Sequence, residues 1–419
     1  MAAIAHEQER ASAIAAPVLA HKQLVAAATG LGAVVWFLFL SGWLGVNPGS
    51  VMTKRQNVLF NSDTSLWVER MIGNARSPEQ LVHPLEIAFW RGPCRVFDHL
   101  LGIFLPSAYA AVFAPRLLVA IFAGMGVGFL AFLALQHGVK TTQFVLLFIM
   151  YLLFTSSATI ALPEHFAISN GLLSLAFVVP IVVASVPIRT GVLAALVVLC
   201  GGTTITNALF PLGSIAHFSF KSTRTKIAVV VAAIPVALAV GLFLYTRSYT
   251  IHWFVNSYLN LASLHDPQRA GAYTFFTFVA PAVGPPPRVL RVPGWDMVSY
   301  EPAGTSLQVS YYSWIQAVGM VAWIALLLTC VTKALREDRT RPHVWLPLGW
   351  VLFSAAFHNI WGAELFLFAP HWSWALMGLV VLGARNLSRT FIATMVVPIV
   401  MSQIYALLAI KGALQTIVQ

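Results

Sequence analysis

Apolar segments of membrane-spanning length recur along almost the whole chain, and that recurrence limits the fold more than any single motif. Such runs lie at 24–45, 115–135, 142–161, 168–186, 191–207, 227–246, 306–332, 343–361, 372–384 and 390–410. About 20 apolar residues cross the hydrocarbon core as one α-helix. Lipid offers the backbone no hydrogen-bond partner, so segments of this kind fold as helices. Composition agrees: 58% of residues are hydrophobic and 9% charged, against about 25% charged in a soluble domain. The stretch 208–220, interrupted by Pro211 and Gly213, reads as a bent return segment. The expectation is therefore an all-α polytopic membrane protein, one integral membrane domain with about 11 transmembrane helices. Residues 1–23 hold Glu7, Glu9 and Arg10 and no short apolar core before a small-residue cleavage site, so the first helix reads as retained.

The basic residues of the short loops set the orientation. Lys140, Arg189, the group Lys221, Arg224 and Lys226, the run 333–341, Arg385 and Arg389 fall on one side of this layout. The positive-inside rule makes that side the cytoplasm, together with the N-terminus. Two long loops then face outward, 46–114 between the first two spans and the proline-rich 247–305, along with the turns carrying Glu164 and Glu364. The net charge of +11 sits largely in these loops, so topology accounts for it and nucleic acid is excluded as a partner. Cys94, Cys200 and Cys330 form no CxxC or metal-ligand pattern; Cys200 and Cys330 read as small buried hydrophobes.

The carboxylates are few and unevenly placed. Of 14, five (Asp63, Glu69, Glu79, Glu86 and Asp98) lie between residues 60 and 100. Within that loop Asn61, Ser62, Asp63 and Thr64 precede Trp67, Val68, Met71 and Ile72 at helical spacing. This predicts a short surface helix with Asp63 at its head, where Asp commonly serves as N-cap. A carboxylate at the membrane boundary is equally suited to take a proton from an incoming hydroxyl. Glu164 and Glu364 stand at span ends, where an ionisable group must be paired or wet, and His165 and His371 neighbour them. The segments 162–173 (LPEHFAISNGLL) and 362–372 (GAELFLFAPHW) echo each other, each setting Glu and Phe above a helical hairpin. Arg91, Arg95, Arg288 and Arg291 sit as pairs on the two long loops, and arginine is suited to bidentate phosphate binding.

A cytoplasmic N-terminus, one span, a large external loop with Asp63 at the head of its first helix, and His83-Pro84-Leu85 some way downstream together resemble the GT-C glycosyltransferase superfamily. Its members include protein O-mannosyltransferases and lipid A aminoarabinose transferases. The resemblance covers roughly residues 24–135 and implies an enzyme that moves a sugar from a polyprenyl-phosphate carrier to a glycan, lipid or protein acceptor. Asp63 then matches the catalytic acidic position and His83 the His-Pro element. The expected setting is a bacterial inner membrane. Several members carry a second carboxylate beside the first, whereas Ser62 and Thr64 flank Asp63 here; no metal site or cofactor is assigned, and a divalent ion is not indicated. The expected substrate-binding set is His83, Glu164, His165, Arg91, Arg95, Arg288, Arg291, Glu364 and His371.

Two other classes compete. A transporter or flippase for lipid-linked saccharides also wants arginines and aromatic residues, but calls for charges at mid-membrane depth, where this chain has few. An O-antigen ligase or polymerase uses polyprenyl carriers too, yet typically sets its key external loop late in the chain. Neither a G-x-x-x-x-G-K-[ST] sequence nor HExxH occurs, which argues against an ATP-driven pump.

Overall fold

The computed structural model describes residues 2–55, 58–60, 62–73, 86–183, 185–219, 267–292, 295–300, 313–360 and 365–418. The described chain is mostly helical. In order it forms α1 (Ala2–Trp43), α2 (Val51–Lys54), α3 (Thr64–Ile72), α4 (Glu86–Gly102), α5 (Ser107–Gln136), α6 (Thr141–Leu152), α7 (Ser157–Ile160) and α8 (His165–Val182). There follow α9 (Val186–Thr203), α10 (Leu209–Ser219), α11 (Pro267–Phe278), strands β1 (Arg288–Val292) and β2 (Trp295–Ser299), α12 (Trp314–Arg336), α13 (Arg341–Ile360), α14 (Pro370–Ala384) and α15 (Arg389–Val418). Among the described residues five helical segments are long and apolar enough to cross a membrane: Leu19–Trp43, Ser107–Gln136, His165–Val182, Trp314–Arg336 and Arg389–Ile417. The expected span 227–246 lies outside the described residues.

Two helices form the centre. Residues 154–174, leading into and through the first half of α8, are buried without interruption, as are residues 369–384 of α14 and its lead-in. They are tied by Asn170, whose Nδ2 donates to the Pro370 carbonyl at 2.7 Å and to Ser373 Oγ at 3.1 Å. Both bonds join the second turn of α8 to the first turn of α14, so their N-terminal ends lie side by side. Outside this pair, α5 is sandwiched between α1 and α8 with backbones almost touching. A Cβ at Gly30 would stand 3.0 Å from the Gly124 carbonyl, one at Gly128 3.2 Å from the Ala26 carbonyl, and one at Gly126 3.0 Å from Asn170 Oδ1. Small residues at helix crossings permit this closeness in a membrane, where association rests on van der Waals contact.

Several boundaries differ from the sequence reading. Pro115 does not open the second span; α5 starts at Ser107 and carries Pro115 inside it. The expected span 142–161 is broken, because α6 stops at Leu152. The run Thr155-Ser156-Ser157 leaves the helix to bond with the second long loop: Ser156 N donates to the Pro281 carbonyl at 2.9 Å, and Gly284 N donates to Thr155 Oγ1 at 2.8 Å. Side-chain hydroxyls of this kind compete with helical bonding. Residues 205–208 form a 3-10 turn before α10, which packs against α9 and runs as one helix through Pro211 and Gly213, where an interruption was expected.

The second long loop is not wholly superficial either. Residues 279–285 are buried, and side chains from the helices satisfy the backbone around them. Trp323 Nε1 donates to the Phe278 carbonyl, Trp372 Nε1 to Thr277, Gln403 Nε2 to Ala282 and Gln316 Nε2 to Gly284, at 2.9 to 3.3 Å. Non-helical backbone at such a place survives only when its polar groups are met in this way. Beyond it, β1 and β2 pair as an antiparallel hairpin where the sequence suggested only proline-rich loop.

One end of the bundle collects basic loops. Arg385 pairs with Glu337 at 3.7 Å, Asn386 Nδ2 donates to Glu337 Oε2 at 2.7 Å, and Gln143 Nε2 donates to the Leu387 carbonyl at 2.7 Å. At the same end His217 bonds the Pro342 carbonyl at 2.9 Å, and Arg189 Nη2 donates to the Phe218 carbonyl at 3.3 Å. Lys140, Arg189, the 337–341 turn and Arg385 are thereby brought together, as the charge pattern anticipated.

Two predictions follow from this packing. Gly171→Val drives a side chain into the Phe122 carbonyl, whereas Gly32 has nothing within 4 Å of an added Cβ. Overpacking of this kind costs about 1–3 kcal/mol, so the Gly171 variant should melt lower in detergent while Gly32→Val melts as wild type. The second concerns His137, at the basic end. Burial, His343 and Arg339 pull its imidazole down from 6.5 to about 4. The unfolded chain takes up this proton near pH 6.5 and the folded chain only near pH 4, so stability falls as pH drops through that interval. A melting curve against pH should show the decline, and His137→Asn should flatten it.

Candidate functional site

At the opposite end from the basic loops, the first long loop is clamped to the bundle before α3 begins. Val298 of β2 donates its N–H to the Val58 carbonyl at 2.9 Å and accepts from Phe60 N at 2.7 Å. The first loop thus joins the hairpin of the second. Phe60 takes a left-handed φ of 51°, a conformation that costs an L-residue roughly 1–2 kcal/mol. Its ring lies 4.9 Å from Tyr300 and 4.6 Å from Phe366, and that aromatic seat together with the Val298 bond holds it there.

The turn at Phe60 delivers Ser62, Asp63 and Thr64 to the head of α3. Thr64, Trp67, Arg70 and Met71 form the buried face of that helix; Trp67 and Met71 belong to the apolar stripe expected from the sequence, while Val68 and Ile72 are only half-buried. Asp63 occupies the N-cap position, and its carbonyl accepts from Trp67 N at 2.8 Å. Its exposed carboxylate, however, makes no cap hydrogen bond. Capping does not account for an acid at this position.

Thr64 turns inward instead. Its hydroxyl stands 3.3 Å from Ser62 Oγ and donates to Glu164 Oε1 at 3.3 Å, linking residues 100 apart in sequence. Glu164 is 2% exposed and is the N-cap residue of α8, where its own carboxylate makes no cap bond either. The positive end of the α8 dipole favours a negative group at this place.

Beside Glu164 the first turns of α8 and α14 bring His165 and His371 together, their rings 6.4 Å apart. The two echoing sequence segments therefore meet at their histidines. Phe166 lies 5.4 Å from His371 and 5.6 Å from Phe368. His358, near the end of α13, stacks on Phe368 at 4.9 Å and sits 5.2 Å from Trp372. The His371 carbonyl accepts from both Trp350 Nε1 at 2.7 Å and Trp374 Nε1 at 2.8 Å, which fixes the backbone beneath its ring. His358 was absent from the sequence candidates. Its signal was faint: one imidazole followed by Asn359 near the end of an otherwise apolar helix.

The arginines divide into two groups. Arg91 Nε donates to the Arg70 carbonyl at 2.7 Å, and Arg95 Nη2 donates to the Gly73 carbonyl at 3.1 Å. Cations at a helix C-terminus complement its dipole, so this pair also fastens the far end of α3. Partial burial and the adjacent Arg95 lower the Arg91 pKa. Arg288 and Arg291 lie on β1, with Arg291 opposite Asp296 in the register. The hairpin carrying them is the one that grips residues 58–60. On α4, Cys94 is buried and its thiol is pushed up to about 12 by burial and by Asp98, which makes it a packing residue. All three cysteines are free and buried. His83 and Glu364 lie outside the described residues. Among the described residues, no group of three His, Cys, Asp or Glu side chains is placed to hold a metal ion.

Comparison with protein families, with curated proteins and with solved structures finds no match in any of the three. The chemistry of the site accordingly rests on its own residues: one exposed carboxylate at a helix head, one buried carboxylate behind it, and a floor of histidine and aromatic rings.

The Thr64–Glu164 contact makes a testable claim about α3. Removing the only hydroxyl that α3 sends to this buried acid should cost about 1–3 kcal/mol. Thr64→Val should raise amide hydrogen exchange across residues 64–72, and Thr64→Ser should leave it near wild type. Equal protection in all three proteins would show that the contact holds nothing.

Proposed function

We propose that the chain is a polytopic glycosyltransferase of about 11 spans that moves a sugar from a polyprenyl-phosphate carrier to an acceptor hydroxyl outside the cytoplasm. The setting is a bacterial inner membrane with the N-terminus inside. One observation carries this reading. Asp63 sits exposed at the head of α3 with its carboxylate unused for capping, while the backbone on either side is clamped through Phe60 to Val298 and through Thr64 to Glu164. An exposed carboxylate on a fixed loop suits a general base.

In the reaction Asp63 accepts the acceptor's hydroxyl proton. The oxygen attacks the anomeric carbon as the bond from that carbon to the phosphate oxygen breaks, and polyprenyl phosphate departs with the electron pair. Direct displacement inverts the anomeric centre. The leaving group is already a stable anion, so donors that meet its growing charge replace a general acid. Arg288 and Arg291, on the hairpin that grips the first loop, and Arg91 and Arg95, at the end of α3, are the candidates for that task. Glu164 is a positioning residue acting through Thr64. His165 and His371 are buried beside Glu164, and imidazoles in that place suit contact with sugar hydroxyls once the donor is bound.

Asp63→Asn keeps the shape of the side chain but not its basicity. Transfer should fall by about 10² to 10⁴, with normal membrane insertion and an unchanged melting temperature. Near-wild-type turnover in that variant would defeat the assignment. Orientation is checked separately. A cysteine placed at Gly73 should label from outside intact cells and one at Asp338 only after the cytoplasm is opened; the reverse pattern would overturn the sidedness.

A further inference from the structure

Where α1 ends and α15 ends, a cleft of about 440 Å³ opens beside the first loop. Its wall from the first loop includes Asn47, Ser50, Met52 and Val58; Lys411 and Gln415 of α15 face them. Among the described residues of the lining Lys411 is the only charged one, and none is a carboxylate. Its Nζ stands 5.8 Å from the Trp43 ring, a cation–π contact that turns the ammonium toward the cleft side of α1. The cleft lies at the ends of two candidate spans, Leu19–Trp43 and Arg389–Ile417, which is the depth of lipid headgroups. Below it, exposed apolar side chains continue into the membrane zone: Leu31, Val35 and Phe39 on α1, and Ile404 and Leu408 on α15. A polar pocket with one cation above apolar tracks matches an anionic headgroup with its acyl chains.

We propose that this cleft binds the phosphate of a membrane lipid, with Lys411 as its charged contact and the chains lying along α1 and α15. The inference is independent of the transferase reading and uses none of its site residues. An interfacial lysine often serves merely as an anchor; the concave lining, in which Lys411 joins Asn47, Ser50 and Gln415, is what distinguishes a site from an anchor.

The test is native mass spectrometry of the purified protein titrated with phosphatidylglycerol, with phosphatidylcholine as the zwitterionic probe. One phosphatidylglycerol should bind in clear preference to phosphatidylcholine. Lys411→Gln should weaken it about tenfold or more, the scale of a charge-assisted hydrogen bond. Lys411→Arg should keep most of the affinity, and Lys140→Gln at the opposite end should change nothing. Excess inorganic phosphate should not displace the lipid, because the apolar tracks have no claim on it. Equal binding by wild type and Lys411→Gln at matched melting temperatures would overturn the proposal. So would the absence of any preferred phosphatidylglycerol, or its ready displacement by inorganic phosphate.

Discussion

A carboxylate that is 2% exposed at the head of a central helix constrains everything around it. Isolated burial of such a charge would cost far more than the fold's net stability. Glu164 is tolerated because the N-terminus of α8 favours negative charge there and because Thr64 of the first loop donates to it. That requirement works in both directions. The acid gains a donor from outside the bundle, and the loop gains a fixed attachment to the buried first half of α8.

The second long loop supports the same arrangement from the other side. Its segment 279–285 is buried among helices whose Trp and Gln side chains donate to its carbonyls. From that anchorage the hairpin extends to grip Val58 and Phe60 of the first loop. Two loops that are remote in sequence thus become one structure over the paired ends of α8 and α14, with Asp63 on its open side. A preorganised surface of this kind matters for transfer chemistry, where stabilisation comes from groups already in place when charge develops.

Much of this was legible in the sequence, and the limits have physical causes. The surface helix with Asp63 at its head could be read because Trp67, Val68, Met71 and Ile72 repeat at helical spacing behind a capping residue. The grouping of basic loops at one end followed from charge alone. The break after Leu152 could not be read so easily, since Thr155 and Ser156 leave the helix to bond residues 281–284, more than a hundred positions away. The hairpin was hidden for a related reason: proline-rich flanks mask a short strand pair that is fixed by contact with Val58 and Phe60. The echo between 162–173 and 362–372 was visible, but the meeting of His165 with His371, and the place of His358 beside them, depended on helix packing.

The central claim is that the clamped loop serves transfer from a lipid-linked sugar. The sidedness expected from the basic loops favours it, since nucleotide sugars are made in the cytoplasm while a polyprenyl-phosphate sugar can be presented at the outer leaflet. The direct measurement is transfer by the purified protein in liposomes, supplied with one donor class at a time. The account predicts product with inverted anomeric configuration from polyprenyl-phosphate sugars and none from nucleotide sugars. Efficient transfer from a nucleotide sugar, with none from the lipid-linked form, would contradict it.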